Sequence, residues 1–444
     1  MHRSLAILAL IIVLVACASP APAPTPTLLA PSTPVPTLTP ALEPTSEEIE
    51  EIDPPSTPAP TTMPASVGDC PASFDALDPV DRALFENVTS INDVFLNRRF
   101  VIWDNDYRFD DIPMLLARRD RAGVPPRYGF LFNWSRGLLE NGGPFKLPNH
   151  LDLGTVYCVS PLAHAQDIAW VPLLMRQPTH ESELPITITT PNGQPTNDDS
   201  VFLLLYSDRS NEPRAIDRAA DPRATERWTS NAVRVAFQRW QLVEGNLDGQ
   251  FHLADADDGV PGELSATERF ALSLLEQRIL AAALRANGTD DRLAREFVAI
   301  RQLRLASSPY DTQAEQNQEQ RDGTAEYVAY RFALAAGQTQ LQSWPDRLLA
   351  GYAGDNAPEL DSGMSPLGDY ILEERPALTG AAIGLLLDAA ALPWRGQMAQ
   401  GRTPFNILAA AFPIDLGDRD ALAAQAKARF GYDELATRAV AAQR

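Results

Sequence analysis

Lysine, cysteine and histidine are scarce in this chain of 444 residues, and each shortage excludes a class of protein. Lys146 and Lys427 are the only lysines, and 37 basic residues face 58 acidic ones, a formal charge of −21. Because nucleic acids and anionic lipid surfaces bind basic patches, we expect neither as the main partner. Three cysteines are too few for a disulfide-framework mini-protein or a cysteine-based metal cluster. Five histidines leave few imidazole ligands for metal chemistry.

Long hydrophobic runs are also missing, apart from one near the N-terminus. Residues 5–16 form an unbroken apolar run that follows Arg3. The run is too short to cross a bilayer as a helix and is typical of the core of a signal peptide. No later stretch reaches about 18 apolar residues, so the rest of the chain is expected to be soluble.

The apolar run ends in Leu14-Val15-Ala16-Cys17, which resembles the lipobox of bacterial lipoproteins. The resemblance implies that residues 1–16 are a signal peptide and that the thiol of Cys17 receives a diacylglycerol. The alternative is an ordinary secretory signal with a chance cysteine. The sequence therefore predicts a protein attached to the cell membrane by a lipid anchor and facing outside the cytoplasm.

Residues 17–66 are predicted to be a disordered stalk behind the anchor. After Cys17 the segment holds 14 prolines and nine threonines, with no glycine, aromatic, lysine or arginine. Such a composition cannot bury a core and stays extended and solvated. The six acidic residues between Glu43 and Asp53 extend it further by mutual repulsion. We expect this stalk to lift a folded part, beginning near Val67, away from the membrane.

Residues 67–218 are predicted to be an irregular, mostly β region. Short apolar and β-branched runs alternate there with proline, glycine, asparagine and aspartate. The predicted strands cover residues 100–103, 128–134, 155–159, 168–174, 186–190 and 201–206. The region also contains Cys70 and Cys158, the only cysteines besides Cys17. Outside the cytoplasm these two are a candidate disulfide, and two buried free thiols are the alternative.

Residues 219–444 show helical periodicity instead. Asp221-Pro222 is a helix start signal, and Ser265 with Glu268 matches a capping box. Further helices are predicted to about residue 307, over 312–337 and in four shorter pieces after residue 378. Because strands come first and helices afterwards, the sequence predicts an α+β fold with segregated regions.

Three pieces of the helical region, read in order, resemble gluzincin-type zinc metallopeptidases of bacteria. In that family one helix carries His-Glu-x-Phe-His-Arg-x-Gln, and here residues 234–241 read Arg-Val-Ala-Phe-Gln-Arg-Trp-Gln. A later family helix carries Glu-Gly-x-Ala-x-Tyr, and residues 322–327 read Asp-Gly-Thr-Ala-Glu-Tyr. Between them, Leu275-Glu276-Gln277-Arg278 resembles the family's Leu-Glu-x-Arg. The resemblance implies a zincin-like helical region.

The residues that bind zinc in that family are replaced by other residues in this chain. Two histidines at i and i+4 point at one ion, a glutamate beside the first is the general base, and a carboxylate completes the site. Arg234 and Gln238 occupy the histidine positions, Val235 that of the base, and Asp322 that of the third ligand. We therefore expect neither zinc nor a catalytic residue. One hypothesis is that the charge of Arg234 replaces the ion and pairs with Asp322 or Glu276.

Other chemical motifs are weak. The loop from Glu244 to Asp255 has a loose calcium-binding spacing but lacks the expected first and last ligands, so a polar loop is favoured. No serine-hydrolase elbow or phosphate-binding glycine loop is present. The sequence thus favours a surface-displayed, non-catalytic, metallopeptidase-like lipoprotein that acts in binding or scaffolding, with an unknown protein or small-molecule partner. A solute-binding lipoprotein and an active hydrolase with unconventional metal ligands are the alternatives.

Overall fold

The structure is a computed structural model. It describes residues 70–103, 107–118, 128–133, 144–160, 185–189, 195–207, 215–216, 222–243, 264–288, 290–306, 309–338, 343–350, 370, 374–398 and 400–442. The chain divides into two compact units, Met1–Met63 and Pro64–Arg444, and all described residues belong to the second. The predicted anchor at Cys17, the predicted stalk and the candidate calcium loop lie outside the described residues.

The first long element is helix α1, Pro79–Ile102, which lies in the region predicted to be mostly β. The side chain of Asp78 caps it by accepting a hydrogen bond from the backbone N–H of Asp81, and Pro79 occupies the first turn. One face is buried through Leu84, Phe85, Val88, Ile91, Asn92 and Phe95. The prediction of a mostly β region is therefore wrong over residues 79–102. Residues 100–103 are the last turn and cap of this helix, not a strand.

Five strands form one mixed sheet in the order β3-β2-β1-β5-β4. They are β1 Met114–Arg118, β2 Gly129–Phe132, β3 Tyr157–Val159, β4 Pro185–Thr189 and β5 Pro195–Tyr206. β1 pairs with β5 in parallel, and the other neighbours are antiparallel. The strands β2 to β5 were predicted, whereas β1 was missed and the predicted strand at 168–174 lies outside the described residues.

From Pro222 onward, the described elements are helices. They are α2 Pro222–Val243, α3 Ala266–Arg285, α4 Asp291–Leu305, α5 Pro309–Gln318, α6 Thr324–Ala335, α7 Trp344–Ala350, α8 Arg375–Ala389, α9 Arg395–Met398, α10 Pro404–Ala411, α11 Leu416–Arg429 and α12 Tyr432–Ala442. The predicted capping box of Ser265 and Glu268 is formed. The chain is thus an α+β protein with one small mixed sheet. No helix among the described residues is long and apolar enough to span a membrane.

One hydrophobic core runs through the sheet region and the helical region. Phe95 of α1 stacks on Phe332 of α6, with ring centroids 5.7 Å apart. Trp103, the C-cap of α1, packs edge-on against Phe237 of α2 at 4.8 Å and against Trp394 at 5.4 Å. The change of periodicity near residue 218 therefore does not separate two independent cores.

A buried carboxylate fastens α1 to the sheet. Asp81 is fully buried and accepts hydrogen bonds from Arg118 Nη1 at 3.0 Å and from the hydroxyl of Tyr206 at 2.9 Å. The hydroxyl of Tyr128 donates to its other oxygen. Burial raises the pKa of Asp81 despite the nearby positive charge of Arg118. These contacts satisfy the carboxylate within the fold, so we assign it a structural role.

A disulfide ties the residues ahead of α1 to the sheet. It joins Cys70 to Cys158 of β3, and the two Cα atoms are 5.9 Å apart. The bond closes a loop of 88 residues. Cross-linking a loop of that order stabilises a folded domain by about 2–5 kcal/mol.

Candidate functional site

The positions that correspond to the zinc motif lie where α2 crosses the junction between α5 and α6. Gln238 of α2 donates from Nε2 to Oδ1 of Asp322 at 2.9 Å. Gln241, one turn later, donates to the carbonyl of Gln320 at 3.1 Å and to the hydroxyl of Thr324 at 2.6 Å. All five residues are buried. The fold thus brings the second histidine position and the third-ligand position into direct contact.

Arg234 lies one helical turn before Gln238 and meets a different carboxylate from the one predicted. Its Nε is 3.8 Å from Oε1 of Glu326, and it donates from Nη2 to Oδ1 of Asn231 at 3.0 Å. The predicted pairing with Asp322 or Glu276 is therefore wrong. The reason is geometric, since α2 and α6 run antiparallel. Gln238 faces Asp322 in the π-turn. Arg234, one turn earlier in α2, therefore faces Glu326, one turn later in the chain.

Asp322 lies in a single turn of π-helix, Glu319–Gly323, that joins α5 to α6. Its neighbour Arg321 donates to both of its carboxylate oxygens, from Nε and Nη2, at 2.8 Å each. Such single π-turns are frequent at functional sites because they shift the side-chain register of a helix. Here the turn directs Asp322 towards α2.

The π-turn is packed tightly against α8. A Cβ atom added at Gly323 would lie 2.6 Å from the Cα of Gly380, and one added at Gly380 would lie 2.5 Å from the carbonyl oxygen of Glu319. Only glycine allows two backbones to approach this closely. The glycine pair therefore fixes the depth at which α8 supports the π-turn.

Glu276 belongs to a separate buried ion-pair cluster. This cluster consists of three arginines and three glutamates: Arg301, Arg304, Arg375, Glu276, Glu315 and Glu319. Glu276 accepts from Arg301 at 2.8 Å and from Arg304 at 2.6 Å. Glu315 accepts from Arg304 at 2.6 Å and from Arg375 at 2.8 Å. Glu276 thus forms ion pairs inside the fold and does not contact Arg234.

The glutamates of the ion-pair cluster experience opposite electrostatic environments. Burial favours the protonated form of each, but the charges of Arg301 and Arg304 outweigh burial at Glu276 and hold its pKa below the ordinary value. The pKa of Glu315 is also held well below that value, since Arg304 and Arg375 outweigh its burial. At Glu319 burial dominates the attraction of Arg301, so its pKa is raised.

The residues at the motif positions do not suit a catalytic zinc ion. Such an ion needs three protein ligands and an open position. Arg234 cannot bind a cation, and Val235, which is buried, cannot accept a proton. Asp322 is the one carboxylate among the four positions that correspond to the zinc ligands and the base, and its oxygens already accept from Gln238 and Arg321. Within the described part of the chain, no three histidine, cysteine or acidic side chains are grouped so that they could hold a metal.

Arg234 does, however, open into a cavity between α2, α6 and α7. The cavity has a volume of about 550 Å³, and its described lining carries four arginines and two glutamates: Arg223, Arg227, Arg234, Arg347, Glu226 and Glu326. We call it the arginine cavity. Arg223 and Arg227 are exposed, whereas Arg234 and Arg347 are partly buried. Of the predicted site residues, only Arg234 lines it.

Sequence reasoning missed both charged features, although each left a pattern. Arg223, Arg227 and Arg234 are spaced by four and seven residues, which places them on one face of a helix. Glu315 and Glu319 are likewise spaced by four. Such spacings are also typical of helix faces that are exposed to solvent. The three-dimensional structure is therefore needed to show that one set lines a cavity and the other forms buried ion pairs.

No protein-family model matches this chain, and neither curated proteins nor solved structures gave a match. The likeness to gluzincins therefore rests on the ordered motifs at 234–241, 275–278 and 322–327.

Proposed function

We propose that this chain is a lipid-anchored, externally displayed binding protein built on a metallopeptidase-like scaffold that has lost its catalytic metal site. The observation that carries the proposal is the hydrogen bond between Gln238 and Asp322. It joins the two positions whose side chains would converge on zinc in the family that the sequence resembles. The two side chains contact each other directly, at 2.9 Å, which supports a site that does not use an ion to join them.

The contacts around Asp322 support a site in which other residues have taken over the role of the metal ion, rather than one in which a buried carboxylate is left without a partner. A buried carboxylate left without its cation would cost several kcal/mol. Asp322 instead receives the guanidinium of Arg321 and the amide of Gln238, which together satisfy its charge and its oxygens. The neighbouring Gln241 adds two further hydrogen bonds between the same helices. These contacts give the carboxylate of Asp322 partners that do not require an ion, which supports a scaffold that binds rather than catalyses.

The decisive experiment measures zinc content and peptidase activity of the full-length protein. We expect the natural chain to purify without stoichiometric zinc and to leave a casein substrate intact. A variant with the family residues restored, R234H/V235E/Q238H/D322E, is expected to take up about one zinc per chain if the scaffold is zincin-like. The matched control R234A/V235E/Q238A/D322E lacks both imidazoles and is expected to bind none.

Each outcome bears on one part of the proposal. Stoichiometric zinc with hydrolysis by the natural chain would favour an active hydrolase and overturn the binding role. Failure of the restored variant to bind zinc, while it remains folded by circular dichroism, would overturn the kinship with gluzincins. The anchor is tested separately by Cys17→Ser, which is expected to move the protein from the membrane fraction to the soluble fraction.

A further inference from the structure

Glu319 is the glutamate of the buried ion-pair cluster that accepts the fewest hydrogen bonds. Glu276 accepts four from two arginines, and Glu315 accepts three from two arginines. Glu319 accepts two, both at Oε1: one from Nη1 of Arg301 at 2.6 Å and one from the hydroxyl of Thr379 at 2.7 Å. Its Oε2 is buried and has no hydrogen-bond partner among the residues that the structure describes.

The lack of a donor at Oε2 matters most when Glu319 is charged. An ionised carboxylate offers about four acceptor sites on its two oxygens, and burial without donors penalises the charged form. Arg301 attracts the charge of Glu319 but also donates twice to Glu276. Burial consequently raises the pKa of Glu319 in spite of Arg301, whereas Glu276 and Glu315, which are buried as well, have their pKa held below the ordinary value by their arginines. As the pH falls, Glu319 therefore takes up a proton before the other two glutamates do.

The elements packed around the π-turn differ in the charge that they bring to it. The charged groups on the side of Glu319 are Arg301 and Arg304 of α4, Glu276 of α3, Glu315 of α5 and Arg375 of α8. Helices α2 and α6 meet the π-turn through the uncharged side chains of Gln241 and Thr324. Within the π-turn itself, Arg321 and Asp322 pair with each other. Glu319 is thus the group whose protonation changes the charge of the cluster in mild acid, while the other two glutamates stay ionised.

Glu319 is the first residue of the π-turn, and the contact with α2 is made from the same turn. The hydrogen bonds that Glu319 accepts from Arg301 and Thr379 join the start of the turn to α4 and α8. Three residues later, Asp322 accepts a hydrogen bond from Gln238 of α2. A local opening that lets water reach Oε2 of Glu319 therefore displaces the turn that carries Asp322.

We propose that the π-turn is a pH-sensitive switch, in which protonation of Glu319 in mild acid closes the turn against α4 and α8 and ionisation towards neutral pH loosens it. The proton comes from solvent and binds Oε2, while Oε1 keeps its two hydrogen bonds. The protonated form buries a neutral hydroxyl, which costs less than a buried charge. The loosened turn also weakens the contact between Asp322 and Gln238. The inference deepens the proposed function and rests on it, because it names what regulates the contact at the position of the lost metal site.

The test is hydrogen–deuterium exchange of the full-length protein from about pH 5 to about pH 8, corrected for the intrinsic pH dependence of exchange. Mass spectrometry reads it on peptides that cover the π-turn. Because the folded-state pKa of Glu319 is raised, its stabilisation is fully present below the ordinary glutamate value and is lost as the pH rises through the folded-state value. We therefore expect protection of the π-turn to fall several-fold with rising pH in the natural chain. Glu319→Gln keeps a neutral side chain, so its protection is expected to stay constant.

Two further variants and one spectrum sharpen the test. Thr379→Val removes a hydrogen bond that favours the ionised form of Glu319, so the fall in protection is expected to move to higher pH. Infrared difference spectra between the natural chain and Glu319→Gln are expected to show the carbonyl stretch of a protonated carboxyl group above the ordinary glutamate pKa. Glu434→Gln is the matched control, because it removes an exposed glutamate that pairs with Arg278 outside the cluster. It is expected to leave exchange of the π-turn unchanged.

Equal pH dependence of the natural chain and Glu319→Gln, or the lack of the carboxyl band above the ordinary glutamate pKa, would overturn the inference. A shift to lower pH in Thr379→Val would overturn it as well. Such a failure in a zinc-free protein would leave the proposed loss of the metal site intact. Stoichiometric zinc in the natural chain would instead overturn the proposed function, whatever the exchange experiment gives.

Discussion

The buried ion-pair cluster and the arginine cavity use the same residue types for different ends. The cluster balances three arginines against three glutamates, and all six side chains are buried. The cavity sets four arginines against two glutamates, and its side chains are half-buried or exposed. Burial therefore distinguishes the ion pairs of the cluster, which lie inside the fold, from the charges of the cavity, which remain in contact with solvent.

The two regions also differ in what surrounds each guanidinium. Arg301 donates to Glu276 and Glu319 and lies between the rings of Phe297 and Phe405, 4.9 and 5.2 Å from their centroids. The nearest described carboxylate to Arg234 is 3.8 Å away. A buried pair is costly to break because each partner has given up its hydration, whereas a half-exposed pair is worth little. The comparison therefore predicts a graded series of effects on stability.

The largest effect is expected from Arg301→Met. The change leaves Glu276 and Glu319 with less positive charge in a buried site, and breaking such a pair costs about 3–5 kcal/mol. Urea unfolding at neutral pH measures the loss of unfolding free energy. The control is Arg285→Met, which removes an exposed pair with Asp346 and is expected to cost about 1 kcal/mol or less. Equal costs for the two variants would remove the distinction between buried and exposed pairs.

A smaller effect, with a characteristic pH dependence, is expected from Glu315→Gln. The folded-state pKa of Glu315 is lowered, so its stabilisation is fully present above the ordinary glutamate pKa and is lost as pH falls through the folded-state value. Urea unfolding from pH 7 to pH 3 should therefore show a shallower acid-induced loss of stability in the variant than in the natural chain. At pH 7 we expect a cost of about 3 kcal/mol.

Glu319→Gln is the matched comparison within the same cluster. Because the folded-state pKa of Glu319 is raised, the sign is reversed, and its negative charge lowers stability as pH rises through that value. Glutamine retains an oxygen that can accept from Thr379, which donates to Glu319 at 2.7 Å. At pH 7, Glu319→Gln is thus expected to cost less than Glu315→Gln. The reverse order would contradict the electrostatic account of the cluster.

Gln238→Leu is expected to have an intermediate effect. The variant removes the donor to Asp322 but leaves the ion pair of Asp322 with Arg321 in place. Losing one buried hydrogen bond to a charged group costs about 1.5–3 kcal/mol. Thermal unfolding of the variant measures the loss of unfolding free energy. Gln241→Leu is a second test of the contact between α2 and α6. A neutral result for both would show that these glutamines do not hold the two helices together.

The sequence predicted most helices and four of the five strands, but it missed α1 for an identifiable reason. Asp78-Pro79 is the same start signal as Asp221-Pro222, which predicts the beginning of α2. The β-branched residues within α1 hid its helical spacing, although Leu84, Val88 and Ile91 repeat on one face. Tertiary packing outweighed the local preference of those residues for strands.

The candidate site was predicted less well, because it depends on contacts between distant segments. The ordered motifs pair Gln238 with Asp322, and the fold joins the two by a hydrogen bond. The contact of Arg234 with Glu326 follows from the antiparallel arrangement of α2 and α6 and from the π-turn. The hydrophobic periodicity of the sequence reveals neither feature. The arginine cavity needed Arg347, more than 100 residues away in the sequence from Arg234, to complete its inner wall.

The smallest effect on stability is expected from Arg234→Gln, and this makes it the sharpest test of the comparison. Arg234 is partly exposed and its ion pair with Glu326 is long, so its loss should change the unfolding free energy by about 1 kcal/mol or less. Urea unfolding beside Arg301→Met measures the contrast. A cost of several kcal/mol would place Arg234 among the structural ion pairs. A small cost would show that the ion pair of Arg234 does not hold the fold together.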